Sequence, residues 1–317
     1  MILRLLLGDQ LNLNHSWFEK VDDSVCYVIM EVQQETNYVK HHIQKVIAFF
    51  NAMRQFKTDL EQRGHRVHYI ELNDKTNSQS LTKNLLHLID VYQAKVFEYQ
   101  YPDEYRLDKQ LEDFCKTLSI RTNTIDTEHF MTSRTFLSSF FEGKKQLVME
   151  YFYRRIRKDF NLLMEGENPL GGAWNFDKNN RNKWKGSPII PKAYRVDSSN
   201  LDSLTKMLRE EEVTTLGTID STSFLYPASR KEALLQLEYF NKNLLRYFGF
   251  YQDAMHTEEV NLFHSRLSFA LNTKMVTPLE IVQSVIDYYH QNEDEIDISQ
   301  VEGFVRQIIG WREYMRG

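Results

Sequence analysis

The opening stretch "MILRLLLGDQL" (residues 1–11) decides the fold reading. A nearly unbroken apolar run gives way at Gly8 to polar groups, with no small-residue cleavage pattern behind it. It therefore reads as a buried strand that delivers Gly8, Asp9 and Gln10 to its carboxyl end, and not as a signal peptide. Further short apolar runs follow: "VCYVIME" (25–31), "HRVHYIEL" (65–72), "KVFEYQY" (95–101) and "IRTNTID" (120–126). Helical patterns near 38–63, 79–92 and 104–118 separate the later strands. Strands alternating with helices predict a five-stranded parallel sheet of right-handed βαβ units, a Rossmann-like α/β domain.

After Phe130 the strand signals fade. Residues 133–166 read as one or two helices, and residues 168–192, rich in Gly, Pro, Asn and Lys, read as a long connection. Helical patterns return near 199–212, 229–248, 262–272, 277–291 and 299–316, with Thr277-Pro278 as an N-cap followed by an N1 proline. The second half is thus expected to be all-α. A chain of 317 residues suits more than one core, and the division expected is 1–130, 131–197 and 198–317.

Composition excludes some classes of function. A formal net charge of −5 argues against a uniformly basic coat for nucleic acid, though not against a local basic face. Two cysteines, Cys26 and Cys115, form no C-x-x-C pair and supply neither a disulfide framework nor a cysteine-ligated metal, which fits a cytoplasmic location. No run approaches the ~18 apolar residues of a membrane span.

In an open parallel sheet, ligands sit outside the carboxyl ends of the strands. The first two strands deliver "GDQL" (8–11) and "EVQQETNYV" (31–39) there, with no G-x-G-x-x-G to grip a pyrophosphate. Asp9, Gln10, Glu35 and Tyr38 offer acceptors, an amide and a ring that suit a flat heterocycle, although the same types also cap helices and turns. His41 and His42 are adjacent and diverge by about 100° on a helix, so they do not chelate one metal together.

Two basic stretches follow. "EYFYRRIRKDF" (150–160) puts Arg154, Arg157 and Lys158 on one helical face, and "KNNRNKWKG" (178–186) sets Lys178, Arg181, Lys183 and Lys185 around Trp184. Cations around an aromatic ring suit a nucleic-acid backbone and an unstacked base; a solvated basic face is the alternative. In "NLFHSRLSFALNTKMVTPLEIV" (261–282) a hydroxyl and arginine cluster at a helix start suits a phosphate. Near the end, Arg306, Gln307, Trp311, Arg312, Glu313 and Tyr314 recur on at least two faces of a helix, which suits a site or a core-facing Trp beside an Arg–Glu pair.

"HSRLSFALNTKMVTP" (264–278) and "RQIIGWREYMRG" (306–317), in that order and spacing, resemble the flavin-binding region of the photolyase/cryptochrome superfamily. "LGDQL" (7–11), "EYFYR" (150–154), "GGAWNFDKNNR" (171–181), "YQDAM" (251–255) and "IIGWREYMRG" (308–317) resemble its deoxyribodipyrimidine photolyase-related branch, prokaryotic (6-4) photolyases with an iron–sulfur cluster. The resemblance implies a 6,7-dimethyl-8-ribityllumazine antenna near Gly8, Asp9, Gln10, Glu35, Tyr38 and Phe49 in the first domain. It implies FAD against Tyr251, His264, Ser265, Arg266, Leu267, Ser268, Gln307, Trp311 and Glu313, and UV-damaged DNA as the substrate, for which the basic stretches offer Arg154, Arg157, Lys178, Arg181, Lys183, Trp184 and Lys185.

The activity it implies is light-driven, FAD-dependent repair of (6-4) pyrimidine photoproducts. The alternatives are a cryptochrome-type photosensor and a module that binds only the antenna. The branch also implies further flavin contacts, an electron-transfer chain and four cluster cysteines beyond the last helix. This chain is therefore expected to be a C-terminally truncated member, with no metal site, inactive alone, and inclined to self-associate through an apolar face.

Overall fold

The computed structural model describes residues 1–196 and 200–316. The chain forms two compact units. One comprises Met1–Glu128, Arg195–Ala233 and Asn272–Met275; the other comprises His129–Tyr194, Leu234–Leu271 and Val276–Gly317. The expected boundary at 197–198 and the expected helix start at 199 lie outside the described residues. No described helix is long and apolar enough to cross a membrane.

The first unit is built on a parallel five-stranded sheet: β1 (Ile2–Leu5), β2 (Val25–Met30), β3 (Val67–Ile70), β4 (Val96–Gln100) and β5 (Arg121–Ile125), in the order β3-β2-β1-β4-β5. All six residues of β2 are buried, as in a strand covered on both faces, where an unbroken apolar run replaces alternation. Short helix α1 (Gln33–Asn37) follows β2, then α2 (Ile43–Gln62), α3 (Leu81–Val91) and α4 (Tyr105–Thr117). Leu85 and Leu88 of α3 and Leu111 and Phe114 of α4 pack with Leu3, Leu5, Val28 and Phe97. Phe56 of α2 meets Phe18, which meets Tyr27 of β2.

The sequence expects residues 198–212 in the helical half, whereas the structure attaches the described ones, 200–212, to the unit with the sheet. In α7 (Leu201–Glu210), Met207 Sδ accepts from Arg54 Nη2 at 3.2 Å, and the Glu211 carbonyl accepts from Gln33 Nε2 at 3.2 Å. Beyond it, Gly217 (φ +70°) lies against His42, where an added Cβ would sit 1.9 Å from the ring.

The second unit contains α5 (Phe136–Phe141), α6 (Met149–Asp159), a two-residue antiparallel pair formed by β6 (Met164–Glu165) and β7 (Asn168–Pro169), most of α8 (Arg230–Asn243), α9 (Leu245–Tyr251), α10 (Ser268–Asn272), α11 (Pro278–His290) and α12 (Ile298–Val305). The Thr277 cap is present in full: its hydroxyl accepts from Glu280 N–H while the Glu280 carboxylate accepts from Thr277 N–H. Helices α9 and α12 approach closely because Gly249 lacks a side chain; a Cβ there would lie 2.8 Å from Gln300 Cα. Phe240, Phe248 and Phe304 fill the space beside them.

The closing helix departs from expectation. At Arg306 the α-helix widens into a π-helical segment, Arg306–Arg312. The extra residue per turn changes which side chains share a face, so the α-helical spacing read from sequence does not hold there.

Candidate functional site

A cavity of about 250 Å³ opens at the carboxyl ends of β1, β2 and β4, where strand order reverses. This is near the lower end of small-molecule pockets (~300–1,000 Å³). Phe49, Phe50, Met53, Met30 and Val46 supply an apolar wall, and Asp9, Glu35, Asp103 and Glu104 supply carboxylates. The sequence-predicted Gly8, Asp9, Glu35, Tyr38 and Phe49 all line it. Gly8 stays bare because a Cβ would lie 2.9 Å from Met53 Sδ and 3.5 Å from Phe49.

Gln10 is a correction. It does not line the cavity and is buried: its Oε1 accepts from Leu7 N–H at 3.0 Å and its Nε2 donates to the Gln100 carbonyl at 3.1 Å. Its amide is spent joining the turn after β1 to the end of β4.

The carboxylates have cationic partners that do not line the cavity. Arg106 grips Glu35 through two nitrogens at 3.1 and 2.7 Å, pairs with Glu104, and stands 4.3 Å over the Tyr38 ring. Lys274 lies 3.1 Å from Asp9 Oδ2 and 2.7 Å from Asp103 Oδ2. Burial disfavours its ammonium, but the two carboxylates outweigh burial and hold its pKa above the ordinary lysine value. Burial, then Lys45, lowers the pKa of His41 on the same wall, so that ring is neutral near pH 7. With Arg106 and Lys274 engaged and Lys45 beside His41, the four carboxylates accept from N–H and O–H donors, which fits a flat heterocycle. Sequence reasoning missed Lys274, Asp103 and Arg106; no local pattern ties Lys274 to Asp9.

The residues expected at the flavin are not gathered. In the second unit His264, Ser265 and Arg266 line a cavity of about 510 Å³ with Trp184, Gln236 and Tyr239, but Tyr251, Leu267, Ser268, Gln307, Trp311 and Glu313 do not. The His264 ring nitrogens lie 2.9 and 3.0 Å from the Asn261 and Gln252 carbonyls. Tyr251 donates to the Ser187 carbonyl and stacks on Phe263, and Leu267 is buried. Helix α10, which starts at Ser268, has only five residues and brings little dipole to a phosphate. Glu313, 1% exposed, accepts from Met131 N–H at 3.3 Å and Thr132 Oγ1 at 3.1 Å, and burial raises its pKa. Trp311 is half-exposed beside Tyr314, and Gln307 sits on the π-helical turn. These residues as placed do not fit one flavin pocket.

The basic face also divides. Arg157 is fully buried and donates to the carbonyls of Leu162, Leu163 and Trp174, so it closes the end of α6 and cannot meet a phosphate. Arg154 pairs with Glu150 and lies over Trp174. Lys178, Arg181, Lys183 and Lys185 are exposed. Trp184 donates its indole N–H to Pro188 O at 2.9 Å and meets His256 edge-on. Among the described residues, no group of three or more His, Cys, Asp or Glu could hold a metal ion.

This geometry sits in a chain with clear relatives. The deoxyribodipyrimidine photo-lyase-related protein family matches residues 4–224, and the chain belongs to that family. It is homologous to a (6-4) photolyase of Agrobacterium fabrum (strain C58 / ATCC 33970), 34% identical across 99% of this chain and 62% of the relative. An uncharacterized protein of Acanthamoeba polyphaga mimivirus is 24% identical over 49% of this chain and 81% of its own length. The crystal structure of a class III photolyase from Agrobacterium tumefaciens superposes with a TM-score of 0.58 at 13% identity, covering 99% of this chain and 58% of that one, and shows the shared photolyase fold. The chain thus spans about 60% of the length of its photolyase relatives.

Proposed function

We propose that the chain carries the chromophore-binding part of a light-driven, FAD-dependent photolyase that repairs (6-4) pyrimidine photoproducts in UV-damaged DNA. The observation that carries this reading is the cavity at the strand ends, where Gly8, Asp9, Glu35, Tyr38 and Phe49 meet in a member of this family. The 34% identity to a (6-4) photolyase over almost the whole chain supports the choice of lesion.

In this reading the cavity holds 6,7-dimethyl-8-ribityllumazine, which when bound absorbs light and passes on the excitation energy. Phe49 and Met53 pack on its ring, the carboxylates of Asp9 and Glu35 accept from its donors, and Tyr38, steadied by Arg106, covers it. Lys178, Arg181, Lys183 and Lys185 meet DNA phosphates through an electrostatic term that weakens with salt. No step is assigned to the flavin, because the residues expected to hold it do not come together.

That same dispersal favours a second reading, in which these residues bind the antenna chromophore without repairing DNA. One experiment addresses both. The purified chain is titrated with the lumazine, followed by fluorescence, and then irradiated with FAD and an oligonucleotide carrying a (6-4) lesion. Lumazine binding with salt-sensitive retention of the lesion oligonucleotide supports the first reading, and lumazine binding with no affinity for the oligonucleotide supports the second, while light-dependent loss of the lesion overturns the expectation that this chain is inactive alone. Unchanged lumazine fluorescence at saturating protein sinks both.

A further inference from the structure

Lys274 is 1% exposed, and its ammonium meets three oxygens: the Asp9 carbonyl at 3.0 Å, Asp9 Oδ2 at 3.1 Å and Asp103 Oδ2 at 2.7 Å. Those contacts account for all the donors an ammonium has. Asp9 follows β1 and Asp103 follows β4, the two strands that flank the reversal of strand order, and both line the cavity although Lys274 does not.

The segment carrying Lys274 is itself held in place. Leu11 N–H donates to the Thr273 carbonyl at 2.9 Å and Arg230 Nη1 donates to the Met275 carbonyl at 2.9 Å. Lys274 adopts φ +64°, a left-handed conformation that persists in a lysine only where the surroundings enforce it. A buried cation bridging two carboxylates fixes where their remaining lone pairs point, and removing it leaves two like charges to separate.

We propose that Lys274 is the positioning residue of this cavity: by bridging Asp9 and Asp103 it holds their carboxylates as acceptors, and so selects a flat heterocycle bearing a polyol chain over the same heterocycle without one. The inference rests on the chromophore reading above. Hydroxyl donors to ionised carboxylates form charge-assisted hydrogen bonds, whereas the bare ring relies on the apolar wall. The other charged and titratable groups facing the cavity are Glu35 and Glu104, both engaged by Arg106, Tyr38 beneath Arg106, and His41 beside Lys45.

The test uses the full chain and two probes, 6,7-dimethyl-8-ribityllumazine and 6,7-dimethyllumazine, which lacks the polyol. Lys274→Met is expected to weaken binding of the ribityl compound about tenfold and leave the bare ring within about twofold. Lys274→Arg retains most of the preference. Asp103→Asn lowers it, and the Lys274→Met/Asp103→Asn double variant lowers it no further. Without any ligand, hydrogen–deuterium exchange of residues 7–11 and 101–104 is expected to quicken in Lys274→Met and to stay near wild type in Lys274→Arg. Equal loss for both probes, or unchanged exchange in Lys274→Met, overturns the assignment. If wild type binds neither probe, the chromophore reading and the selectivity fall together, and the exchange measurement alone judges whether Lys274 positions the two loops.

Discussion

In the sheet unit, Asp9, Asp103 and Glu35 line a cavity and draw their counter-charges from Lys274 and Arg106, which do not line it. In the helical unit, two carboxylates, Glu302 and Glu313, are used up inside the packing. Glu302 is fully buried and accepts from Tyr153 Oη at 2.9 Å and from Phe176 N–H at 3.1 Å, beside Arg306, which also pairs with Asp177. Glu313 is likewise closed over by Met131 and Thr132. The difference teaches that residue type does not tell a site from a structural lock: the same Arg–carboxylate chemistry leaves acceptors available in one unit and consumes them in the other.

Five substitutions probe that contrast. The largest effect is expected from Arg157→Ala, which strands the buried carbonyls of Leu162 and Leu163 and the partly buried one of Trp174 and should cost about 3–5 kcal/mol of stability, while Arg154→Ala, at a half-exposed pair, costs less than about 1 kcal/mol. Urea unfolding of both variants measures this, and equal losses would mean that Arg157 is no lock. Gly249→Ala comes next. Its new methyl group meets the α12 backbone, and about 1–3 kcal/mol of overpacking should appear as a lower thermal midpoint.

In the sheet unit, on the chromophore reading proposed above, Phe49→Ala should weaken lumazine binding about tenfold, ~1.4 kcal/mol, with little change in unfolding, as fluorescence titration can establish. The smallest effect belongs to Glu313→Gln, which keeps an acceptor and should alter stability at neutral pH by less than about 1 kcal/mol.

That variant also has a pH signature. Burial raises the folded-state pKa of Glu313 above its ordinary value of 4.5, so the group's contribution is fully present below about pH 4.5 and is lost as pH rises through the raised value. The stability difference between wild type and Glu313→Gln should therefore change from about pH 4.5 up to the raised value and level off above it. Thermal unfolding from pH 4 upwards reads the trend, and a flat difference throughout would rule out a perturbed Glu313.

Much of the first unit was legible in the sequence. The apolar run of β2, the polar break at Gly8 and the alternation of strands with helices are local signals, and each expected strand and helix of residues 1–125 appears within a few residues of its expected place. Thr277-Pro278 was legible for the same reason, because a capping box is written within four residues. The π-helical turn at Arg306–Arg312 was not, since "RQIIGWR" has no residue that forbids a plain α-helix. Arg157 shared a basic face on paper, and only the carbonyls at the end of α6 and at Trp174 turn it inward.

By itself the sequence determined the parallel sheet, the placement of Gly8, Asp9, Glu35 and Tyr38 at its carboxyl ends, and the family. Hydrophobic period, turn residues and motif order are properties of neighbouring residues. Only the tertiary structure decided which of the charged groups remain available. It put Lys274 against Asp9 and Asp103, gave Gln10 to the backbone, and closed Arg157 and Glu313 into packing. Burial and pairing depend on residues far apart in the chain, and no local pattern encodes where two such segments will meet.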